Sequence, residues 1–234
     1  MSYTYTMTDA AFSSTSVMID MGDMGSIGIG NSAGAAGIPA FDSVIPTAGE
    51  EVWDDVDTVD NGVVMHSKVN SIDYIGTFGG FGVSVAYVND GSGGSSDSSA
   101  VITYDGLMDG LQLGYGLGED SVDEDLETFF VKYTVGGITA AFQRSELDQA
   151  GTSSDQDSDA LGVSFAINEN LSVSYGTHDV DFGSTGSADE ESAGVSASYT
   201  MGSMTITGIS NSTDNVAGSD ASNDAYREVT IAFA

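Results

Sequence analysis

The chain has 234 residues with 36 Asp and Glu against 4 Lys and Arg, and this net charge of −32 excludes the basic face that nucleic-acid binding needs. It has no cysteine, so a disulfide framework, a thiol nucleophile and a Cys-based zinc site are excluded as well. No run of 18 apolar residues exists, which excludes a spanning helix but not a membrane protein built of strands.

In chain order the recurring unit is a short segment in which every second residue is apolar. Ser2–Thr8 sets Tyr3, Tyr5 and Met7 opposite Ser2, Thr4, Thr6 and Thr8, and reads as a strand rather than as a signal peptide. Ser14–Asp20 and Ser26–Ser32 are shorter and weaker copies. Residues 33–70 then run without a pattern. After them Ile72 and Tyr74 alternate with Ser71 and Asp73, Gly79-Gly80 turns the chain, and Phe81, Val83, Val85 and Tyr87 follow. The unit continues through Ala100–Tyr104, Leu111–Leu117, Phe129–Val135, Ile138–Phe142, Leu161–Ile167, Leu171–Tyr175, Ala193–Tyr199, Met204–Ile206 and Val229–Phe233. A period of two with turn residues between is the signature of strands. About fourteen are visible in one domain spanning 1–234, and no segment reads as a helix.

The connections are of two kinds. Gly79-Gly80, Gly136-Gly137, Asn168–Asn170 and Gly202-Ser203 are short, whereas roughly 89–98, 118–126, 147–158, 179–190 and 211–224 are long, acidic and rich in Gly and Ser. Strict alternation between them means an up-and-down meander with one trimmed end and one end of large solvated loops. The face opposite the apolar one is mostly Gly, Ser, Thr, Ala and Gln, with few of the charges that a water-facing sheet carries. Small polar residues suit a water-filled lumen, and aromatics near strand ends (Tyr74, Phe78, Tyr87, Tyr104, Tyr133, Tyr199, Phe233) suit two membrane girdles. The expectation is an all-β, closed transmembrane barrel, with Val83, Val85, Leu113 and Val163 outside and Ser84, Gln112 and Ser164 inside.

The unpatterned stretch 33–70 holds both prolines, Pro39 and Pro46, and the single tryptophan, Trp53. A loop of this length is functional or disordered, and Ile38, Phe41, Val44, Ile45, Val52 and Val56 argue against disorder. It is expected to fold back on the sheet, anchored by Trp53, and to present Glu50, Glu51, Asp54, Asp55, Asp57 and Asp60. Hard cations take several oxygen ligands, so Glu50, Asp54 and Asp57 are candidates for Ca²⁺, although no Asp-x-Asp-x-Asp-Gly loop occurs. His66 and His178 have no partner at metal-ligand spacing and read as polar surface at strand ends. No Gly-x-Ser-x-Gly, His-Glu-x-x-His or phosphate loop is present, so the chain is not expected to be an enzyme.

His66-Ser-Lys68-Val-Asn70-Ser71-Ile72-Asp-Tyr74 followed by Gly79-Gly-Phe81-Gly-Val83 resembles the segment after the constriction loop of general bacterial porins, nearest the alphaproteobacterial type. Met24-Gly-Ser-Ile27-Gly-Ile29-Gly30-Asn31 resembles the strand before that loop, and Val229-Thr-Ile231-Ala-Phe233 the closing strand. The resemblance implies a homotrimer in the bacterial outer membrane, in contact with lipid and lipopolysaccharide, through which small hydrophilic solutes and ions diffuse. It also implies sixteen strands, two more than are visible, and a constriction built from the acids of 33–70. Only Lys68 matches a basic position of the family; Lys132 faces the lumen by its phase between Val131 and Tyr133. A cation-preferring channel is therefore expected. The alternative is an acidic soluble or surface-attached β protein, an adhesin or surface-layer component, that binds divalent cations.

Overall fold

The computed structural model describes residues 1–8, 11–31, 36–56, 58, 63, 71–89, 96–120, 124–149, 155–184 and 186–233. Its strands are β1 (Ser2–Thr8), β2 (Ala11–Asp20), β3 (Ser26–Asn31), β4 (Ser71–Phe78), β5 (Phe81–Val88), β6 (Asp97–Tyr104) and β7 (Leu111–Glu119). They continue as β8 (Asp125–Val135), β9 (Ile138–Asp148), β10 (Gln156–Asn168), β11 (Leu171–Phe182), β12 (Glu190–Met201), β13 (Met204–Asp214) and β14 (Asp224–Phe233). All fourteen lie in one sheet in chain order, and the pairings described are antiparallel. The only helical turns among the described residues are three short 3₁₀ segments, Gly22–Met24, Ile38–Phe41 and Val216–Gly218. Contacts group the chain into two compact units: Met1–Asp42, Val63–Thr128 and Leu147–Thr152, and Ser43–Gly62, Phe129–Glu146 and Ser153–Ala234.

In the first unit the register is Ile29↔Ile72, Tyr74↔Val85, Val83↔Ile102 and Ile102↔Tyr115. Because side chains alternate across a strand, these apolar residues share one face, and Ile29, Ile72, Val85, Ile102 and Tyr115 are all exposed there. The opposite face holds buried Asp73, Ser84 and Ser99, and the segment Ala36–Phe41 lies on it. Gly37 N–H donates to Ser84 Oγ (2.9 Å) and Ile38 N–H to Ser99 Oγ (3.0 Å). The hairpin between β4 and β5 turns on Gly79-Gly80, whose φ values of +57° and +87° are those of a tight turn that matches the strand twist.

The second unit repeats this division. Leu161, Val163, Phe165, Tyr175, Val195, Tyr199 and Ile231 are exposed on one face, while Ser158, Ala160, His178, Ser192, Asn211 and Thr213 are buried on the other. So the faces of Val85 and Val163, and of Ser84, are as the alternation requires. Full burial of a large apolar side chain is worth about 1.5–3 kcal/mol, and leaving a whole sheet face of them in water would forfeit tens of kcal/mol. The face is stable only where the solvent itself is apolar.

One expectation is corrected here. The sequence pattern puts 147–158 and 179–190 in loops, yet β10 begins at Gln156 and β11 runs to Phe182. Asp157, Asp159, Asp179 and Asp181 are therefore strand residues, with Asp157↔Asp181 and Asp159↔Asp179 paired across β10 and β11. The alternation persists, but carboxylates replace apolar residues on the outward side. Arg144 of β9 binds three of the acids there, reaching Glu146 (3.0 Å), Asp157 (2.9 Å) and Asp159 (3.1 Å). An apolar rhythm records only the part of a strand that meets an apolar solvent, so it misses the part above.

Candidate functional site

The seat of the unpatterned loop is built from the smallest residues of the sheet. Gly162, Gly176, Gly194 and Asn211 are register neighbours across β10, β11, β12 and β13, all on the inner face. A Cβ on Gly176 would stand 2.9 Å from Val52 Cγ1, and one on Gly194 3.1 Å from the same atom; one on Gly162 would strike Ile45 Cγ2. The loop thus lies nearly on the backbone of the wall. Val44, Ile45, Val52 and Trp53 are buried against it.

Hydrogen bonds fix the orientation. Ala48 N–H donates to Ser174 Oγ (2.9 Å), and Thr47 Oγ1 lies 3.2 Å from Ser196 Oγ. Asn211 Nδ2 donates to the carbonyls of Glu51 (2.9 Å) and Asp54 (3.3 Å). Trp53 packs its ring on His178 with centroids 5.0 Å apart, so the tryptophan sits as a wall contact. His178, expected as polar surface at a strand end, is instead fully buried, with Nε2 2.7 Å from Ser158 Oγ. A lone histidine in sequence carries no sign of the loop that covers it. Further along, the buried carboxylate of Glu190 accepts the Thr58 hydroxyl at Oε1 and the Ala217 N–H at Oε2 (2.7 Å).

The loop's acids divide by this seating. Asp54 turns inward on its own chain, its Oδ2 accepting Glu51 N–H at 2.9 Å. Glu50 and Asp55 are exposed, and their carboxylate oxygens lie within 4.8 Å of each other and of Glu228 on β14. Asp55 adopts φ +59°, a strained left-handed conformation for a non-glycine, and lies exposed beside Glu50. Partial burial, a hydrogen bond with Asp55 and repulsion from Asp55, Asp54 and Glu228 hold the Glu50 carboxyl above the usual range. Of the cation ligands expected from sequence, Glu50 meets, among the described residues, Asp55 and Glu228, the latter far away in sequence. Asp57, Asp60, His66 and Lys68 lie outside the described residues. Lys132 sits on the face of buried Phe130, between exposed Val131 and Tyr133, as its phase requires.

A family model, Gram-negative porin, matches residues 4–231 of this chain. The chain belongs to the Gram-negative porin family. It is an outer-membrane β-barrel protein, and its exposed apolar face is the lipid-facing side. A porin structure refined at 1.8 Å resolution is similar over 99% of this chain and 90% of its own, with a TM-score of 0.70 at 16% identity. An anion-selective porin from Comamonas acidovorans matches over 94% of this chain and 74% of its own, with a TM-score of 0.65 and 16% identity. OmpT of Vibrio cholerae, in a trimer form, matches over 93% and 86%, with a TM-score of 0.59 and 11% identity. No curated protein matches this porin by sequence. These identities carry the fold and not the contents of the pore.

Proposed function

We propose that this porin is a water-filled channel for passive diffusion of small hydrophilic solutes and ions, narrowed by residues 33–70 and preferring cations. The observation that carries the reading is the group Glu50, Asp55 and Glu228, in which two exposed carboxylates of a loop fixed to the inner face meet a half-buried one on wall strand β14. Lys132 is the one Lys or Arg on an inner face among the described residues, since Arg144 and Arg227 both lie on the outward side. A low-dielectric wall around a narrow passage focuses such a negative potential, and salt screens it only partly at a Debye length of about 8 Å. Diffusion through such a pore needs no catalysis, and the chain is proposed as a channel and not an enzyme.

The assembly proposed is a homotrimer in the outer membrane, as the trimer form of the Vibrio relative supports, in contact with lipid and lipopolysaccharide. A Comamonas relative of the same fold is anion-selective, so the sign of the preference rests on this chain's own acids. Purified trimer in planar bilayers under a KCl gradient tests the reading. Open channels whose reversal potential favours K⁺, more so at low salt, are expected. Anion preference, or no conductance above the lipid background, overturns it.

A further inference from the structure

We propose that this porin rectifies, passing cations more readily from its long-loop end to its trimmed end than in the reverse direction. This rests on the channel described above and gives it a direction. In the second unit the wall changes character along its height. Near the long loops Asp159, Asp179, Glu191 and Asp214 are register neighbours across β10, β11, β12 and β13, a row of four carboxylates. They face outward above the apolar residues, and their field reaches the mouth over the rim. Near the short turns Ser172, Ser198, Thr207 and Thr230 form a matching row across β11, β12, β13 and β14, four hydroxyls on the inner face. Ser198 Oγ lies 3.3 Å from Thr207 Oγ1, and one step lower Thr200 Oγ1 lies 3.0 Å from Thr205 Oγ1. Among the described acids of this unit only Glu169 belongs to a short turn.

Two further features sharpen the step. The loop acids Glu50 and Asp55 meet Glu228, two residues up β14 from Thr230, so they stand on the acidic side of the hydroxyl row. Lys132, on the inner face of β8 and four residues from the Gly136-Gly137 turn, puts a charge of opposite sign on the other side. Glu191 and Ser198 are seven residues apart on β12, about 18 Å of depth at a rise of about 3.3 Å per residue and a tilt of about 40°. At about 0.05 M salt the Debye length is about 14 Å, long enough to act across a narrow mouth and too short to merge the two zones. The acidic zone then carries current mostly by cations, while the hydroxyl zone passes both ions. Driven from the acidic zone, K⁺ reaches the junction faster than the hydroxyl zone removes it, and Cl⁻ arriving from the other side cannot go on. Salt accumulates there and the current is large. Under the opposite voltage both ions leave the junction, and the current falls.

The chain has no cysteine, so Ala221→Cys, exposed in the loop joining β13 to β14, carries one biotin per chain. Streptavidin added to one chamber of a planar bilayer then shows which end of a singly inserted channel faces it. In symmetric KCl of about 0.05 M, the current with K⁺ driven from the long-loop end is expected to exceed that at the opposite voltage by about 1.5-fold or more. The ratio should return to one near 1 M salt, where the Debye length is about 3 Å. Equal currents, or a larger current in the other direction, from a channel that still prefers K⁺ overturn the rectification and leave the channel reading intact. Absence of conductance overturns both. Lys132→Glu with Thr200→Glu gives the turn side the sign of the rim, and the ratio should fall to near one without loss of K⁺ preference. Glu191→Gln with Asp214→Asn, at exposed positions, should lower the ratio from the other end, and decides the matter if the first variant forms no channels. Asymmetry that survives these changes has a cause other than the step in charge, and overturns the proposal.

Discussion

Replacing the glycine row under the loop separates the loop from the wall without touching a charge. In the triple variant Gly162→Ala, Gly176→Ala and Gly194→Ala, the added Cβ atoms meet Ile45 Cγ2 at 162, Val52 Cγ1 at 176 (2.9 Å), and at 194 first the amide of Asn211, which itself holds the loop, and then Val52 Cγ1 (3.1 Å). Forcing an extra carbon into a packed contact costs about 1–3 kcal/mol, so the row costs on the order of 3–9 kcal/mol. What holds the loop down is the burial of Val44, Ile45, Val52 and Trp53, about 1.5–3 kcal/mol each, or on the order of 6–12 kcal/mol together. The two totals overlap. A single alanine should therefore displace the loop by a few tenths of an ångström, and the triple variant should release it. The strands need not suffer, because alanine suits a sheet better than glycine does. Single-channel recordings should show a small conductance change for Gly176→Ala, and for the triple variant a larger, fluctuating conductance with weaker selectivity. Unaltered heat-modifiability on gels verifies the barrel. If the triple variant conducts and selects as the unaltered protein does, either the loop is not seated on this row or it does not narrow the pore.

Three further outcomes are expected. Glu50→Gln with Asp55→Asn and Glu228→Gln removes three charges; an ion about 5 Å from each gains about 0.8 kcal/mol per charge in water, roughly halved by physiological salt. The K⁺ preference read from reversal potentials should fall several-fold, and millimolar Ca²⁺, which should reduce K⁺ conductance in the unaltered channel, should lose that effect. Because the Glu50 carboxyl is held above its ordinary 4.5, lowering the pH should neutralise it before ordinary carboxylates, and selectivity should begin to fall above pH 4.5. By linkage its ionised form costs stability above the folded-state value, so the docked loop gains stability as that proton binds, which limited proteolysis at graded pH reads. Trp53→Ala removes the anchor on His178 at a cost of about 3–5 kcal/mol and should raise protease sensitivity within 43–58. In the unaltered chain the single tryptophan should emit at the short wavelengths of a buried indole.

The strands were legible because a lipid-facing sheet must keep one face apolar, and Val83, Val85 and Val163 obey that rule residue by residue. The loop was legible as a break in the rule. Its seat was not: Gly162, Gly176 and Gly194 read as generic lumen residues, and only the register across three hairpins makes them a row. The third carboxylate escaped for the same reason, since Glu228 is separated from Glu50 by most of the chain. The acidic upper parts of β10 and β11 escaped because hydrophobic periodicity falls silent where a strand rises into polar surroundings.

Glu190 holds two distant pieces of chain in one carboxylate, the Thr58 hydroxyl from the inner loop and the Ala217 N–H from the loop joining β13 to β14. Ala217 is itself held at φ +52°, a conformation that the bond to Glu190 helps to maintain. The two loops are therefore mechanically joined. A displacement of Ala217 loads the same carboxylate that steadies Thr58. In the channel proposed above, a grip on the loop joining β13 to β14 is expected to be felt at the loop proposed to narrow the pore.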